Sequence, residues 1–371
     1  MKKNSIDKIF FGIVIALVVV GLITFTSASL GIFAKNETKF YGVIFSQFTF
    51  GFLGGLIALF IGLKIPYKFF RKYSLVLFIL SILLTACVLI PRIGQVHGGA
   101  RRWISIFGYT FQPVEFLKIG FIVYFAAWLS WAKEKVREPL FSIVPLIVML
   151  GVIAAVLLKQ PDTKSIILIT VTALIMLFVS GTPVKYIFGI LGLAGIAVII
   201  LVSFQPYLRQ RINTFFNPSE NGQSSSYQLQ QSLIAVGSGG IFGRGLGQSI
   251  QKFNYLPEPQ GDSIFAVIGE ELGFLGCAVL ICLYLAFALR GYRIALRNAP
   301  DSFSRLLVIG FITIITAQSF MNMASIIGVF PLTGVPLVFI SQGGTALLLS
   351  LGMMGIILNI SRFTGRPMLE R

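Results

Sequence analysis

The chain has 371 residues, of which 56% are hydrophobic and 12% charged, with a net charge of +17. This composition excludes a soluble protein with one anchor and indicates a polytopic membrane bundle. The cations fall in short loops between apolar runs, which excludes a nucleic-acid surface, and the one histidine, His97, excludes a Ser-His-Asp triad or a histidine-based metal site.

A bilayer core needs about 20 apolar residues per helix. Runs of that kind fall at 8–28, 42–63, 73–91, 112–131, 140–158, 165–181, 184–204, 263–289, 304–327 and 336–359. They predict an all-α polytopic membrane protein of ten transmembrane helices, read as one domain over 1–371. The first run is followed by many others, so it reads as a retained helix and not a cleaved signal. An even number of spans puts both termini on one side. Lys and Arg are denser on that side, at Lys2, Lys3 and Lys8, at Lys64 to Lys72, at Lys133 to Arg137 and at Arg290 to Arg305. This predicts cytoplasmic termini and an outward 205–262 between the seventh and eighth spans. Cys87, Cys277 and Cys282 lie in apolar runs with no metal spacing.

Small residues suggest where helices approach closely. Gly51 and Gly55 stand four apart, and Gly189, Gly192 and Gly195 three apart. Before the fourth span, Arg101 and Arg102 sit beside Trp103 on the predicted outer face, against the usual charge bias. A diphosphate at that level would explain them. Glu115 and Lys118, at i,i+3, share a helix face. They read either as a buried structural pair or as the lining of a polar substrate cavity. Lys159, Asp162 and Lys164 cluster in a short outward loop around Gln160-Pro161.

The segment 205–262 is a polar island. It opens with Arg209 and Arg211 and a turn-rich stretch over 217–222. Ser224 to Ser226 then predict the cap of a helix from Tyr227, with Leu229, Leu233 and Val236 on one stripe. The run 237–248, with Arg244, has too many glycines for a helix. It reads as a loop tucked into the bundle or as a backbone cradle for a phosphate or sugar. The absence of a following Lys-Ser or Lys-Thr excludes a nucleotide loop. The island ends at Leu256-Pro257-Glu258-Pro259-Gln260-Gly261-Asp262. Asp262 is expected to cap the next helix, to act as the chemical carboxylate, or both. Of Glu270 and Glu271, at least one should face the bundle interior.

These stretches together resemble the SEDS family of bacterial shape, elongation, division and sporulation proteins, over essentially the whole chain. The resemblance rests on Gly99-Ala100-Arg101-Arg102-Trp103-Ile104 with Phe111 to Lys118, on Gln160-Pro161-Asp162, and on Tyr227 to Gly247. It rests further on Tyr255-Leu256-Pro257-Glu258 through Asp262 and Gly269-Glu270-Glu271-Leu272-Gly273, and on Phe330 to Leu337 with Ser341 to Gly344. It implies a peptidoglycan glycosyltransferase of the bacterial cytoplasmic membrane. Such an enzyme polymerises lipid II onto a growing lipid-linked glycan, with the active site on the outer face. Asp262 corresponds to the family's essential acid, and Glu115 and Lys118 to its fourth-span pair. The implied partner is a monofunctional class B penicillin-binding protein, the transpeptidase, with other division or elongation membrane proteins and no nucleic acid.

Given that reaction, Asp262 would take the proton from the attacking sugar hydroxyl. Arg101, Arg102, Lys118, Arg209, Arg211 or Arg244, or a divalent cation (Mg or Mn), would offset the leaving diphosphate. Asp162 and Glu258 complete the expected substrate contacts. The Gln251 to Pro259 stretch leans toward the division member, with the rod-shape elongation member as rival. A lipid-precursor flippase and a scaffold for the transpeptidase are the other readings. The chain departs from the family at Gln260-Gly261, Gln342 and Thr163-Lys164, where His-Thr, Tyr and Leu-Gly are common.

Overall fold

The computed structural model describes residues 5–97, 100–106, 109–216 and 224–363. Gly98-Gly99, the turn-rich 217–222 and the terminal Arg366 and Arg371 lie outside the described residues.

Helix α1 (Lys8–Phe33) starts where Asp7 accepts the Phe10 N–H at 2.9 Å. Helices α2 (Glu37–Ser46) and α3 (Gly54–Lys64) are joined by a π-helical turn, Gln47–Leu53, into one span, and Asn36 caps the start. Two shorter helices follow, α4 (Tyr67–Lys72) and α5 (Ser74–Cys87). Strands β1 (Gly94–His97), β2 (Ala100–Ile106) and β3 (Tyr109–Phe111) form a small antiparallel sheet in that order, which the sequence reading did not foresee. Then come α6 (Pro113–Ala132), a 3-10 turn (Lys133–Arg137), α7 (Pro139–Lys159), α8 (Thr163–Ser180) and α9 (Val184–Phe204). The island contributes α10 (Pro206–Phe216) and α11 (Ser224–Ser238). The chain closes with α12 (Ile264–Arg297), α13 (Ser302–Ile326) and α14 (Gly344–Ser361).

Among the described residues nine helices are long and apolar enough to cross a membrane. The protein is thus an all-α, multi-pass membrane protein carrying one small sheet. The run 73–91 is helical only as α5, 14 residues long, about 21 Å at 1.5 Å per residue. That falls short of a core of about 30 Å. The last run also differs from expectation. Residues 336–343 are not helical, and α14 begins only at Gly344.

The centre of the bundle is α13, packed against α6, α8 and α12. Helix α14 lies against α3, and there the predicted glycine contact is real. A Cβ on Gly55 would stand 2.6 Å from Leu351 Cδ1, and one on Gly62 2.7 Å from the Gly352 oxygen. The second glycine set behaves otherwise. A Cβ on Gly189, Gly192 or Gly195 would meet nothing within 4 Å, because α9 is peripheral and buries Ile190 alone.

Candidate active site

After α13 the chain runs without regular structure from Pro331 to Leu337, buried at Leu332, Val335 and Leu337, and turns at Gly334 (φ 63) and Phe339 (φ 71). Irregular backbone inside a membrane protein needs internal partners for its polar groups. Side chains from distant elements supply them. Arg211 donates to the Leu332 oxygen at 2.6 Å, Asn322 to Val335 at 2.7 Å and Gln318 to Pro336 at 3.1 Å. Lys164 donates to the Gly334 oxygen and Tyr284 to that of Val338. The buried Gln47, inside the π turn, accepts from the Gly343 N–H at 3.1 Å.

This floor carries the end of the island. Ser341 donates to the Gly261 oxygen at 2.7 Å, the Gln342 N–H to the Gln260 oxygen at 2.7 Å, and Asn322 to the Asp262 oxygen at 2.8 Å. The departures at Gln260-Gly261 and Gln342 thus meet through the main chain. Helix α12 starts at Ile264 with Ser263 at the capping position and no side-chain cap bond. Asp262 therefore does not cap the helix as expected. Its carboxylate lies over Gly334, where a Cβ would stand 2.9 Å from Asp262 Oδ2 and 3.8 Å from Arg211 Nη2.

Three cations gather here with two acids. Arg211 lies across the Tyr207 ring at 4.5 Å. Burial pushes its pKa below the ordinary arginine value and the Arg102 charge acts the same way, while Tyr207, Asp262 and Asp162 oppose this. Arg102 donates from Nε to the Gln160 oxygen at 3.0 Å and from its terminal nitrogen to Pro161. Asp162 is fully buried, accepts from Ser165 at 2.9 Å and has no hydrogen-bond partner at Oδ1 among the described residues. Lys164 lies within the electrostatic reach of Asp262, Asp162, Arg102 and Arg211. The sequence reading had Lys164 only as a loop cation. It stands in the first turn of α8, and its partner Gly334 is 170 positions away.

The other expected cations point elsewhere. Arg209 donates to the Ser203 oxygen at 2.7 Å, back toward α9. Arg244 lies 3.8 Å from Glu270 Oε1. Arg101 is half-buried on β2 opposite Val96. Lys118 pairs with Glu115 at 2.8 Å and donates to Gln318 at 2.7 Å. Gln318 reaches Pro336, so this buried pair braces the floor from below. Glu258, in a left-handed conformation (φ 45), accepts from Gln260 at 3.2 Å. Both line an open cleft of about 450 Å³ with Lys35, Asn36 and Lys39.

Both Glu270 and Glu271 turn inward. Glu270 accepts from Ser249 Oγ at 2.6 Å and the Ile250 N–H at 2.9 Å. Glu271 pairs with Lys252 at 2.6 Å and accepts from Ser27. Lys252 has a fully buried side chain, and the sequence reading gave it no role. The glycine-rich loop is tucked against α12. A Cβ on Gly243 would stand 2.2 Å from the Glu271 oxygen, and Gly273 (φ 66) breaks the helix to admit it. On the predicted stripe of α11, Leu229 is buried and Leu233 exposed. The helix already begins at Ser224, so Ser224 to Ser226 form its first turn and not its cap.

The profile of the cell cycle protein family of FtsW, RodA and SpoVE matches residues 7–366. The chain belongs to the SEDS family of peptidoglycan glycosyltransferases. One SEDS relative, the stage V sporulation protein E of Bacillus subtilis, is 36% identical over 98% of this chain and 99% of its own. Another, a probable peptidoglycan glycosyltransferase FtsW of Trichlorobacter lovleyi, is 38% identical over 96% of this chain and 93% of its own. The SEDS fold also matches a chain of a peptidoglycan synthase complex solved for how it coordinates polymerization and crosslinking. That match has a TM-score of 0.79 at 25% identity, covering 96% of this chain and 98% of that one. The crystal structure of Thermus thermophilus RodA shares the fold at a TM-score of 0.70 and 24% identity, over 96% and 97% of the two chains.

Proposed function

We propose that this SEDS protein polymerises lipid II by β-1,4 glycosyl transfer, with Asp262 as the base and undecaprenyl diphosphate as the leaving group. The observation that carries the reading is the meeting of Lys164, Arg211 and the Asp262 carboxylate at Gly334, with Arg102 within reach of both cations. A sugar hydroxyl is a poor nucleophile until a base removes its proton. The Asp262 carboxylate makes no side-chain hydrogen bond among the described residues, so its oxygens are free to accept one from the GlcNAc 4-hydroxyl of incoming lipid II. That oxygen attacks C1 of the growing chain's terminal MurNAc, and the C1–O bond to the diphosphate breaks. The three cations offset the charge that develops on the leaving group.

Among the side chains gathered here Asp262 is the one that would hold a divalent cation, Mg or Mn, which would supply positive charge against the leaving diphosphate. That charge would add to the charge already placed there by the side chains. Asp162 sets the local field beneath the cations. Glu258, with Lys35 and Lys39, borders the route by which polar sugar groups approach.

In this reading the chain crosses the membrane ten times, with α5 making the short tenth crossing. Both termini are cytoplasmic, and 205–262 is an outward loop within a single domain. The partner is a monofunctional class B penicillin-binding protein, in keeping with the complex that contains the structural relative. The FtsW relative, 38% identical over 96% of this chain, favours work at the division septum over lateral elongation.

The test is polymerisation of labelled lipid II by the protein purified with its cognate transpeptidase. Wild type should make polymer, and folded Asp262→Ala and Asp262→Asn should make none. Full polymerisation by Asp262→Ala would reject the base. Lipid translocation without polymer would favour a flippase.

A further inference from the structure

On the face where α1 begins, an open cleft of about 320 Å³ lies between the 3-10 turn after α6, the end of α8 and the start of α13. Leu129, Val136 and Leu306 give it apolar walls, and Lys133, Arg137 and Arg305 line it with charge. Among the described residues none of these three cations forms an ion pair or a side-chain hydrogen bond. The acids nearby do not neutralise them. Glu134 lines the cleft without an ion pair, and Asp301 caps α13 through Ser304 and faces Arg71 at 3.9 Å.

Helix dipoles explain only part of this charge. Lys133 and Arg137 follow the C-terminus of α6, where cations are favoured. Arg305 stands in the first turn of α13, at the positive end, where a cation is disfavoured. Its Nε is buried without a hydrogen-bond partner among the described residues. A buried donor without an acceptor is costly, and an anion in the cleft would satisfy it.

The level of the cleft indicates where the anion comes from. Trp128 and Trp131 sit in the last turns of α6 with ring centroids 5.3 Å apart, and Trp131 is 62% exposed. Lys135 lies over Phe141 at 5.1 Å beside them. Tryptophan and lysine at a helix end mark the headgroup level of a bilayer. We propose that this cleft holds a phosphate-ester anion, supplied by the headgroup of an anionic phospholipid.

Native mass spectrometry of the full chain in detergent tests this, with phosphatidylglycerol or phosphatidylcholine of matched chains and with glycerol 3-phosphate as competitor. Wild type should retain phosphatidylglycerol about tenfold more tightly than phosphatidylcholine. The combined Lys133→Gln, Arg137→Gln and Arg305→Gln variant should lose that preference. Glu134→Gln alone, which keeps all three cations, should increase it. Equal retention of both lipids by wild type overturns the proposal, as does an unchanged preference in the combined variant or in Glu134→Gln. Displacement by equimolar glycerol 3-phosphate would support the phosphate site and overturn its lipid source.

Discussion

Asn322 donates from one side-chain nitrogen to the main-chain oxygens of Asp262, at 2.8 Å, and Val335, at 2.7 Å. The central helix α13 thereby holds the proposed base and its floor with a single amide. Asn322→Ala would leave two carbonyls without that donor, at about 1–3 kcal/mol for each buried group. Thermal unfolding should show the loss of stability. Lipid II polymerisation, measured on the fraction that stays folded, should fall as well.

Gly334 offers a more selective perturbation. A methyl there would stand 2.9 Å from Asp262 Oδ2, on a backbone with φ 63. The left-handed backbone costs a non-glycine residue roughly 1–2 kcal/mol. Displacing the carboxylate by even an ångström costs about a hundredfold in rate. Gly334→Ala should therefore lose activity far out of proportion to its change in melting temperature. Wild-type rates from the folded variant would reject this placement of the carboxylate.

The two island arginines should separate cleanly. Arg211 is tied to Leu332 beside Asp262, whereas Arg209 reaches back to Ser203. A hydrogen bond to a charged group contributes about 1.5–3 kcal/mol. Initial rates of polymerisation should fall about ten- to a hundredfold in Arg211→Gln and change less than about twofold in Arg209→Gln.

Lys252 and Glu271 are expected to govern folding and not turnover. Their side chains are almost wholly buried and 2.6 Å apart. Removing one member of such a pair costs about 3–5 kcal/mol, because the other charge is left alone. Lys252→Met should lower the melting temperature sharply. Adding Glu271→Leu should recover part of that loss, which unfolding curves of the single and double variants would reveal.

Most spans were readable from the chain because uniform apolar runs of helical length have few other outcomes in a membrane protein. The run 336–359 misled because Val338, Phe339 and Ile340 are as apolar as a span, yet belong to buried irregular backbone. Ser341-Gln342-Gly343-Gly344 inside the run was the available warning, since paired glycines after polar residues interrupt a helix. Asp262 could be singled out as a carboxylate at a polar border. Arg211 was readable only as one of six candidate cations, and Lys164 and Gly334 not as site residues, because the three meet only through the fold. Lys252 was hidden for the same reason, since its partners Ser27 and Glu271 lie on α1 and α12.

Helix α9 buries Ile190 alone and leads directly into α10, which carries Arg211. Arg102 and Lys164 are anchored on the sheet and on the interior helix α8. One cation of the trio is thus mounted on a loosely moored outrigger while the other two stand on the hull. What holds that arginine in place is therefore its own mooring line to Leu332 and the Tyr207 ring, and not the packing of the helix that leads to it.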